Sequence, residues 1–253
     1  MTTSIGIIDS GLGGFTIYQA LKTRFPQASF VFVADQKKSP YGDKTKEELL
    51  VIGRRLLDFF LEKNITEVLF ACNTLSSMVL ELLRQEYPMM TLHGVIELTV
   101  SKVSSKAKKV LVLGTQATIS QHVYSKLITE KNKNAWVEEI ATPKLVPLIE
   151  GMADDIDVDE VLEGYLRKKS GVDTMVLGCT HYPLLERNIK TFTDARIVNS
   201  IDGSIELIES LESIPTGKCR VFTTLNQERF QEQIRKIFDV NEEVELIDLE
   251  ESV

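Results

Sequence analysis

The chain contains the stretch Leu69-Phe70-Ala71-Cys72-Asn73-Thr74, in which an apolar run ends at a cysteine that small polar residues follow. The stretch Val176-Leu177-Gly178-Cys179-Thr180-His181 has the same form. Each pattern predicts a buried strand with a thiol at its carboxyl end and a helix N-terminus directly behind it, which is where open α/β sheets bind ligands. One such cysteine alone is more often a small buried hydrophobe. The repetition instead predicts a site with a thiol on each of two sides.

The two cysteines belong to two similar halves of the chain. Asp9 ends an apolar run and precedes Cys72 by 63 residues, and Thr115 follows a similar run and precedes Cys179 by 64 residues. Both halves therefore contain a strand, a polar turn, a mixed segment, a second strand and a cysteine. This pattern predicts a degenerate internal duplication and two domains of ordinary size.

Apolar runs rich in Val, Ile, Leu and Phe predict strands that are buried on both faces. These runs are 4–8, 29–34, 67–71, 91–96, 110–113, 136–140, 173–177, 196–199, 219–223 and 244–248. Helical spacing between them, as in 46–63 and in 226–238 with Asn226 as N-cap, predicts mostly parallel α/β sheets.

The domain organisation follows from where the chain passes between the halves. We expect crossings near 93–97 and 199–204, because no low-complexity linker is present. The first domain would then comprise 1–94 and 205–253 and carry Cys72. The second would comprise 95–204 and carry Cys179.

Composition and charge argue against several classes of partner. The chain has 253 residues, of which 43% are apolar, enough for a sizeable core. The net charge of −8 argues against nucleic acid and anionic membranes, because no basic stripe offsets phosphate repulsion. No apolar run approaches the roughly 18 residues that span a bilayer, and the first residues do not form a basic, signal-like start. We expect a soluble, cytoplasmic protein without a nucleic-acid or membrane partner.

The cysteine count indicates free thiols. Three cysteines without a CxxC pair, together with three histidines, match neither a disulfide framework nor a zinc site. Cys219 lacks a polar turn after it and is expected to be structural. We therefore expect reduced thiols and no metal, and no lysine motif indicates pyridoxal phosphate.

A glycine-rich turn, Asp9-Ser10-Gly11-Leu12-Gly13-Gly14, follows the first predicted strand and exposes backbone N–H groups suited to an anion. It is not a dinucleotide fingerprint, because the third glycine of GxGxxG is missing and Asp9 would repel a pyrophosphate. A ligand with both a carboxylate and an ammonium group fits better, with Asp9 facing the ammonium or assisting a base. A tight turn without a ligand is the alternative.

Further polar residues follow other predicted strands. Ser39-Pro40-Tyr41-Gly42 is a turn that presents a backbone N–H and a phenol. Asn73 and Thr74 follow one thiol, and Thr180 and His181 follow the other, and these side chains supply groups that bind a carboxylate or an ammonium. Glu150 closes an apolar stretch and is either part of the site or a solvated helix end.

Two facing thiols suit the removal of a proton from a carbon and its return on the opposite side. That reaction needs one deprotonated and one protonated group. A thiol has a reference pKa of about 8.5, so its neighbours can tune one to thiolate while the other stays neutral. Asp9 and His181 are the neighbours we expect to handle the protons.

At these residues the sequence resembles the glutamate racemases of the aspartate/glutamate racemase superfamily. Six motifs that occur in the order typical of that family carry the resemblance. They are Asp9-Ser10-Gly11-Leu12-Gly13-Gly14, Pro40-Tyr41-Gly42, Ala71-Cys72-Asn73-Thr74, Gly94-Val95-Ile96-Glu97, Val146-Pro147-Leu148-Ile149-Glu150 and Gly178-Cys179-Thr180-His181-Tyr182-Pro183. The segments 222–224 and 228–230 resemble the family's C-terminal part. Leu75, Leu98 and Asn199 depart from the family's usual residues, and we expect the first two to affect pocket volume or loop rigidity.

The resemblance implies two α/β domains related by a pseudo-twofold axis, with glutamate in the cleft between them and no cofactor. Cys72 would act on D-glutamate and Cys179 on L-glutamate, assisted by Asp9, Glu150 and His181. The implied substrate contacts are Asp9, Ser10, Tyr41, Gly42, Asn73, Thr74, Thr180 and His181. The resemblance also implies a homodimer that supplies D-glutamate for peptidoglycan synthesis, and so for cell wall biogenesis and cell shape.

Other functions stay open at this point. The chain could racemise aspartate or another acidic amino acid. A cysteine hydrolase would use Cys179 with His181, although side chains two residues apart on a turn need not meet. A non-catalytic binding protein that kept the fold is the third alternative.

Overall fold

The computed structural model describes residues 2–151 and 155–249, which form two parallel sheets flanked by helices. The strands are β1 (Ile5–Asp9), β2 (Phe30–Ala34), β3 (Glu67–Phe70), β4 (Thr91–Gly94), β5 (Lys109–Gly114), β6 (Trp136–Ala141), β7 (Thr174–Gly178), β8 (Arg196–Val198), β9 (Arg220–Thr223) and β10 (Val244–Leu246). The helices are α1 (Phe15–Arg24), α2 (Lys46–Glu62), α3 (Asn73–Glu86), α4 (Val95–Ser101), α5 (Gln116–Ser120), α6 (Val123–Lys131), α7 (Leu145–Gly151), α8 (Asp155–Leu166), α9 (Glu186–Phe192), α10 (Ser200–Ser210) and α11 (Gln227–Phe238). The predicted fold class is confirmed, and each predicted strand is present.

One predicted strand ends earlier than expected. The apolar run 91–96 leaves the sheet at Gly94, and Val95 and Ile96 begin helix α4. Both side chains are buried. An apolar run alone does not distinguish a buried strand from the first turn of a buried helix.

The two sheets share a strand order. The six-stranded sheet has the order β10-β9-β2-β1-β3-β4, and the four-stranded sheet has the order β6-β5-β7-β8. All neighbours within the sheets run parallel. The four-stranded order repeats the order of β2, β1, β3 and β4, as an internal duplication predicts. Cys72 and Cys179 follow β3 and β7, which hold the same place in the two sheets.

The chain passes between the sheets through two helices that lie side by side. Helix α4 connects β4 to β5, helix α10 connects β8 to β9, and the two helices pack against each other. The contact is close, because a Cβ at Gly203 of α10 would lie 2.3 Å from the backbone oxygen of Leu98 in α4. A single apolar cluster runs from Ile7 in β1 through Val100 in α4 to Val112 in β5. The predicted domain limits, 1–94 with 205–253 and 95–204, stay a prediction.

The C-terminal part of the chain extends the first sheet. Strand β9 pairs with β2, and the following segment is fixed by Glu242, which is 8% exposed. The Tyr18 hydroxyl donates to Glu242 over 2.8 Å, and Lys22 forms an ion pair with the same carboxylate at 2.7 Å. These contacts hold the polypeptide after α11 against α1.

Three residues that depart from the family pattern have structural places. Leu75 is fully buried on α3 beside the first sheet. Leu98 lies at the contact between α4 and α10. The Asn199 side chain accepts a hydrogen bond from the backbone N–H of Ile201 and so caps α10.

Among the described residues, no helix is long and apolar enough to cross a membrane.

Candidate active site

A cavity of about 410 Å3 lies where loops at the carboxyl ends of both sheets meet. It is lined by Ser10, Gly11, Gln36, Ser39, Pro40, Tyr41, Gly42, Asp43, Cys72, Asn73, Thr74, Thr115, Gln116, Thr142, Pro143, Val146, Pro147, Glu150, Cys179, Thr180, His181, Leu225, Asn226, Arg229 and Gln233. Both sheets contribute because parallel strands present their carboxyl ends at one edge. Cys72 and Cys179 therefore line the same cavity.

Cys72 is held at the start of helix α3. It lies two residues beyond the end of β3, and its backbone N–H donates to the Ile8 oxygen over 3.3 Å. Its side chain is 6% exposed. Burial raises the pKa of the Cys72 thiol well above its usual range, and the charges of Asp9 and Cys179 raise it further, against a smaller lowering by backbone N–H groups. Cys72 is thus kept as a neutral thiol at neutral pH.

Cys179 is the first member of a chain of three polar side chains. Its sulfur lies 3.7 Å from His181 Nδ1, and His181 Nε2 lies 3.0 Å from Glu150 Oε1. Burial by itself lowers the pKa of His181, but the hydrogen bonds with the Cys179 sulfur and the Glu150 carboxylate raise it to about 10. The imidazole therefore carries a proton at neutral pH, and its positive charge lies beside the sulfur.

Glu150 projects from helix α7 and is partly open to solvent, with 37% of its side chain exposed. Burial raises the pKa of Glu150, but the hydrogen bond and charge of His181, with a further contribution from Arg229, lower it overall. Glu150 is therefore ionised and stabilises the protonated imidazole. Of the two interpretations open from sequence, the structure places Glu150 in the cavity wall.

Asp9 contacts the lining residue Thr180 but is not itself among the residues that line the cavity. It is 1% exposed, Oδ2 accepts from the Gly14 N–H over 3.0 Å, and Oδ1 accepts from the Thr180 hydroxyl over 3.3 Å. Burial raises its pKa to about 6, while the charge of His181 and the backbone N–H groups act in the opposite direction. Asp9 thus joins the glycine-rich turn to the residues after Cys179. Its role as a substrate contact stays a prediction.

The glycine-rich turn leaves space for the histidine. A Cβ at Gly13 would lie 2.4 Å from His181 Nδ1 and 2.4 Å from Thr180 Oγ1. Thr16 strengthens this contact between the halves, since its hydroxyl donates to the Thr180 oxygen over 3.1 Å. The turn therefore serves as the surface against which the second cysteine loop rests.

Tyr41 and Gly42 line the cavity, as Ser10 does. The Tyr41 hydroxyl donates to the buried carboxylate of Asp35 over 2.8 Å. Asp35 also accepts from the Thr224 hydroxyl over 2.7 Å. The phenol thus anchors the turn to the ends of β2 and β9, whereas the sequence suggested that it faces a ligand.

Asn73 and Thr74 connect the two halves at the cavity. Asn73 Oδ1 accepts from the Tyr124 hydroxyl over 2.6 Å, and Thr74 Oγ1 lies 3.1 Å from Thr115 Oγ1. The Asn73 amide nitrogen is buried and has no partner in the described part of the chain. Because an unpaired buried donor costs free energy, this group is suited to a ligand's carboxylate.

Sequence reasoning missed several residues of the cavity wall. Gln36, Leu225, Arg229 and Gln233 belong to the side formed by β2, β9 and α11, and Thr142 follows β6. The pairing of β9 with β2 brings α11 to the site. The sequence analysis expected 205–253 to belong to the first domain, but no pattern revealed which strand β9 joins. The predicted N-cap at Asn226 is confirmed, because its side chain accepts from the Arg229 N–H. The resemblance of 222–224 and 228–230 to the family's C-terminal part was the other signal near this wall, but it gave no role to these side chains.

Comparisons with known proteins agree with this arrangement. The model of the Asp/Glu/Hydantoin racemase family matches residues 12–208. The chain is 37% identical over 249 residues to the glutamate racemase of Aquifex aeolicus (strain VF5), covering 95% of each chain. It is 41% identical over 189 residues to that of Carboxydothermus hydrogenoformans, covering 74% of this chain and 71% of the relative.

A solved structure has the same fold along nearly the whole chain. The crystal structure of glutamate racemase isoform RacE1 from Bacillus anthracis superposes with a TM-score of 0.90 at 30% identity, covering 98% of each chain. The matches thus extend over both sheets and include both cysteine loops. The chain therefore belongs to the Asp/Glu/Hydantoin racemase family and, within it, to the glutamate racemases, which are isomerases of an amino acid.

Proposed function

We propose that this enzyme interconverts L-glutamate and D-glutamate with two cysteine bases and without a cofactor. The observation that carries the proposal is the presence of Cys72 and Cys179 in the wall of one cavity, at equivalent strand ends of two sheets. A substrate bound between them exposes the two sides of its α-carbon to different thiols. Inversion then requires one proton to leave on one side and another to arrive on the other.

The protons balance over one turnover. With L-glutamate bound, the Cys179 thiolate removes the α-proton, and the electron pair of the broken C–H bond stays on the substrate as a carbanion. The Cys72 thiol then donates its proton to the opposite side, which gives D-glutamate, a Cys72 thiolate and a Cys179 thiol. The reverse reaction starts from that second state.

The surroundings of the two sulfurs differ in the way that this mechanism needs. Burial and the Asp9 carboxylate favour the neutral Cys72 thiol, as its raised pKa indicates. The protonated imidazole of His181 lies beside Cys179, where it offsets the charge of a thiolate. A Cys72 thiol facing a Cys179 thiolate is the state that converts L-glutamate. Conversion of D-glutamate starts from the opposite state, in which Cys179 holds the proton and Cys72 is the thiolate.

Polar groups around the sulfurs can hold the substrate. The amide nitrogen of Asn73 and the hydroxyl of Thr74 are donors for a carboxylate. The Thr180 hydroxyl donates to Asp9, so its oxygen is left to accept from the substrate's ammonium group. Ser10 and Gly42 also line the cavity. We propose these residues, with Tyr41 and His181, as the substrate site, and Asp9, Glu150 and His181 as the groups that assist the thiols.

Isotope exchange tests this proposal. Incubated in D2O, each enantiomer should gain deuterium at the α-carbon, mainly in the inverted product, because the donating thiol has exchanged with solvent. Replacing Cys72 by Ser or Cys179 by Ser should abolish turnover. Cys219→Ser is the matched control and should keep full activity, because Cys219 lies outside the cavity, where its sulfur contacts the Ala28 oxygen at 3.4 Å. Full racemisation in either active-site variant would overturn the mechanism.

The contact between Cys179 and His181 also favours a second candidate, a cysteine hydrolase. Their atoms meet at 3.7 Å, although their spacing in sequence did not require it. The two functions differ in their need for Cys72. Racemisation by two thiols requires it, whereas hydrolysis by Cys179 and His181 does not. Burst kinetics with esters or amides that persist in Cys72→Ser would support hydrolysis.

Racemisation rates measured side by side on glutamate, aspartate and related acidic amino acids decide which of these amino acids is the preferred substrate.

The cellular role is part of the same proposal. We propose that the enzyme is a cytoplasmic homodimer that supplies D-glutamate for peptidoglycan synthesis, on the strength of the family resemblance. Accumulation of cell wall precursors that lack D-glutamate, after depletion of the protein, is the expected outcome. Normal precursors in depleted cells would contradict it.

A further inference from the structure

The cavity wall carries charges of both signs, and of its two cations in the described residues, His181 and Arg229, only Arg229 is exposed to solvent. Asp43 and Glu150 both line the cavity, and the whole chain carries a net charge of −8. Among the described residues of the wall, Arg229 is the only arginine or lysine. Glutamate has two carboxylates and one ammonium, so its net charge is negative at neutral pH. The two acidic side chains repel it, whereas the buried, protonated His181 and the exposed Arg229 attract it.

Arg229 lines the cavity and is exposed to solvent. It lies in the first turn of α11, where its backbone N–H donates to the Asn226 side chain over 2.8 Å. The residue is exposed, unlike His181, whose charge is buried beside the sulfur. The charge of Arg229 reaches the site, since it contributes to the lowered pKa of Glu150. A cation at this position acts on a ligand before the ligand is bound.

We propose that Arg229 is a specificity-determining residue that draws anionic amino acids into the cavity and favours them over neutral ones of similar size. The inference rests on the proposed glutamate substrate and names a residue for its capture. Charged groups at the rim of a site change the association rate and its dependence on salt more than they change the chemical step. Arg229 does not touch the reacting carbon in this scheme.

Kinetics at varied ionic strength test the proposal. Arg229→Ala should lower kcat/KM for L-glutamate about fivefold in low salt, the effect of one unit charge near 4 Å in water, and should leave kcat unchanged. The difference should shrink as NaCl is added, because salt screens exposed charges. Arg229→Lys, which keeps the charge, should retain most of the activity.

A matched control separates local attraction from net charge. Arg235 lies on the same helix, is exposed and does not line the cavity, so Arg235→Ala removes one positive charge elsewhere. It should behave like the wild type. An equal loss in both variants, or a loss of kcat with unchanged KM in Arg229→Ala, would overturn the proposal.

A binding measurement separates this inference from the proposed reaction. Calorimetric titration of the Cys72→Ser variant with L-glutamate and with glutamine needs no turnover. Adding Arg229→Ala should weaken glutamate binding about fivefold and leave glutamine binding unchanged. Equal weakening of both ligands would overturn the role of Arg229. Absence of racemisation by the wild-type enzyme would instead overturn the proposed function.

Discussion

At the scale of single residues, the protonation of His181 depends on its two neighbours. Burial favours the neutral imidazole, and the contacts with Cys179 and Glu150 reverse that preference and raise the pKa to about 10. This pKa lies above the ordinary value of 6.5. The stabilisation from the protonated imidazole is therefore complete below about pH 6.5 and is lost as the pH rises through about 10.

Replacing Glu150 by Gln should lower the pKa of His181, because the imidazolium loses its carboxylate partner. The free energy of unfolding should then fall less between pH 6.5 and 10 than it does in the wild type. NMR titration of the His181 ring and urea unfolding across this range measure the two effects. Glu139→Gln is the control, since Glu139 contacts His122 at 2.6 Å and should leave the titration of His181 unchanged. An unchanged His181 pKa in Glu150→Gln would contradict the explanation.

At the scale of elements, the sequence predicted most of what positions the thiols. Strands β3 and β7 were recognisable because each is a short, mostly apolar run that ends in a polar turn. The turn after β1 was recognisable from its glycines, but the sequence did not reveal that this turn packs against His181. Its Gly13 accommodates the ring of His181, a residue 168 positions later in the chain, and no local pattern reveals such a contact. The same holds for Tyr41, whose hydroxyl is taken up by Asp35.

Replacing Gly13 by Ala should lower kcat/KM by about tenfold or more, since the new Cβ would lie 2.4 Å from both His181 and Thr180 and would displace them. Gly164→Ala is the control. Gly164 is exposed in helix α8, and a Cβ added there would have no atom within 4 Å, so this change should stabilise the protein by about 0.5–1 kcal/mol and keep activity. Racemase rates and thermal unfolding of both variants provide the measurement. Normal turnover in Gly13→Ala would show that the turn and the histidine can separate without cost.

At the scale of the whole molecule, the site depends on hydrogen bonds between the halves. Tyr124 on α6 donates to Asn73 on α3, and both are buried. The duplication predicted that two halves would meet, because each carries a thiol. It did not predict which side chains join them, since those contacts depend on the relative placement of the sheets. The return of 205–253 to the first domain was expected from the sequence, but the pairing of β9 with β2 was not, because long-range pairing leaves no periodic signal.

Replacing Tyr124 by Phe should raise KM for glutamate and lower the free energy of unfolding by about 1–3 kcal/mol, because Asn73 loses the partner that orients its amide. Tyr18→Phe is the control. It removes a buried hydroxyl that donates to Glu242 over 2.8 Å, away from the cavity, and should cost stability without a change in KM. Steady-state kinetics and urea unfolding distinguish the two. Equal KM values in both variants would mean that Asn73 is oriented without Tyr124.

The paired helices α4 and α10 carry the chain from one sheet to the other and back. A Cβ at Gly203 would lie 2.3 Å from the Leu98 oxygen, so a larger residue at position 203 would push these helices apart. One apolar cluster reaches from β1 through α4 to β5, so a shift of the helices would also move the strand ends that carry Cys72 and Cys179 relative to each other. The spacing of the two sulfurs therefore depends on a glycine that lies outside the cavity wall.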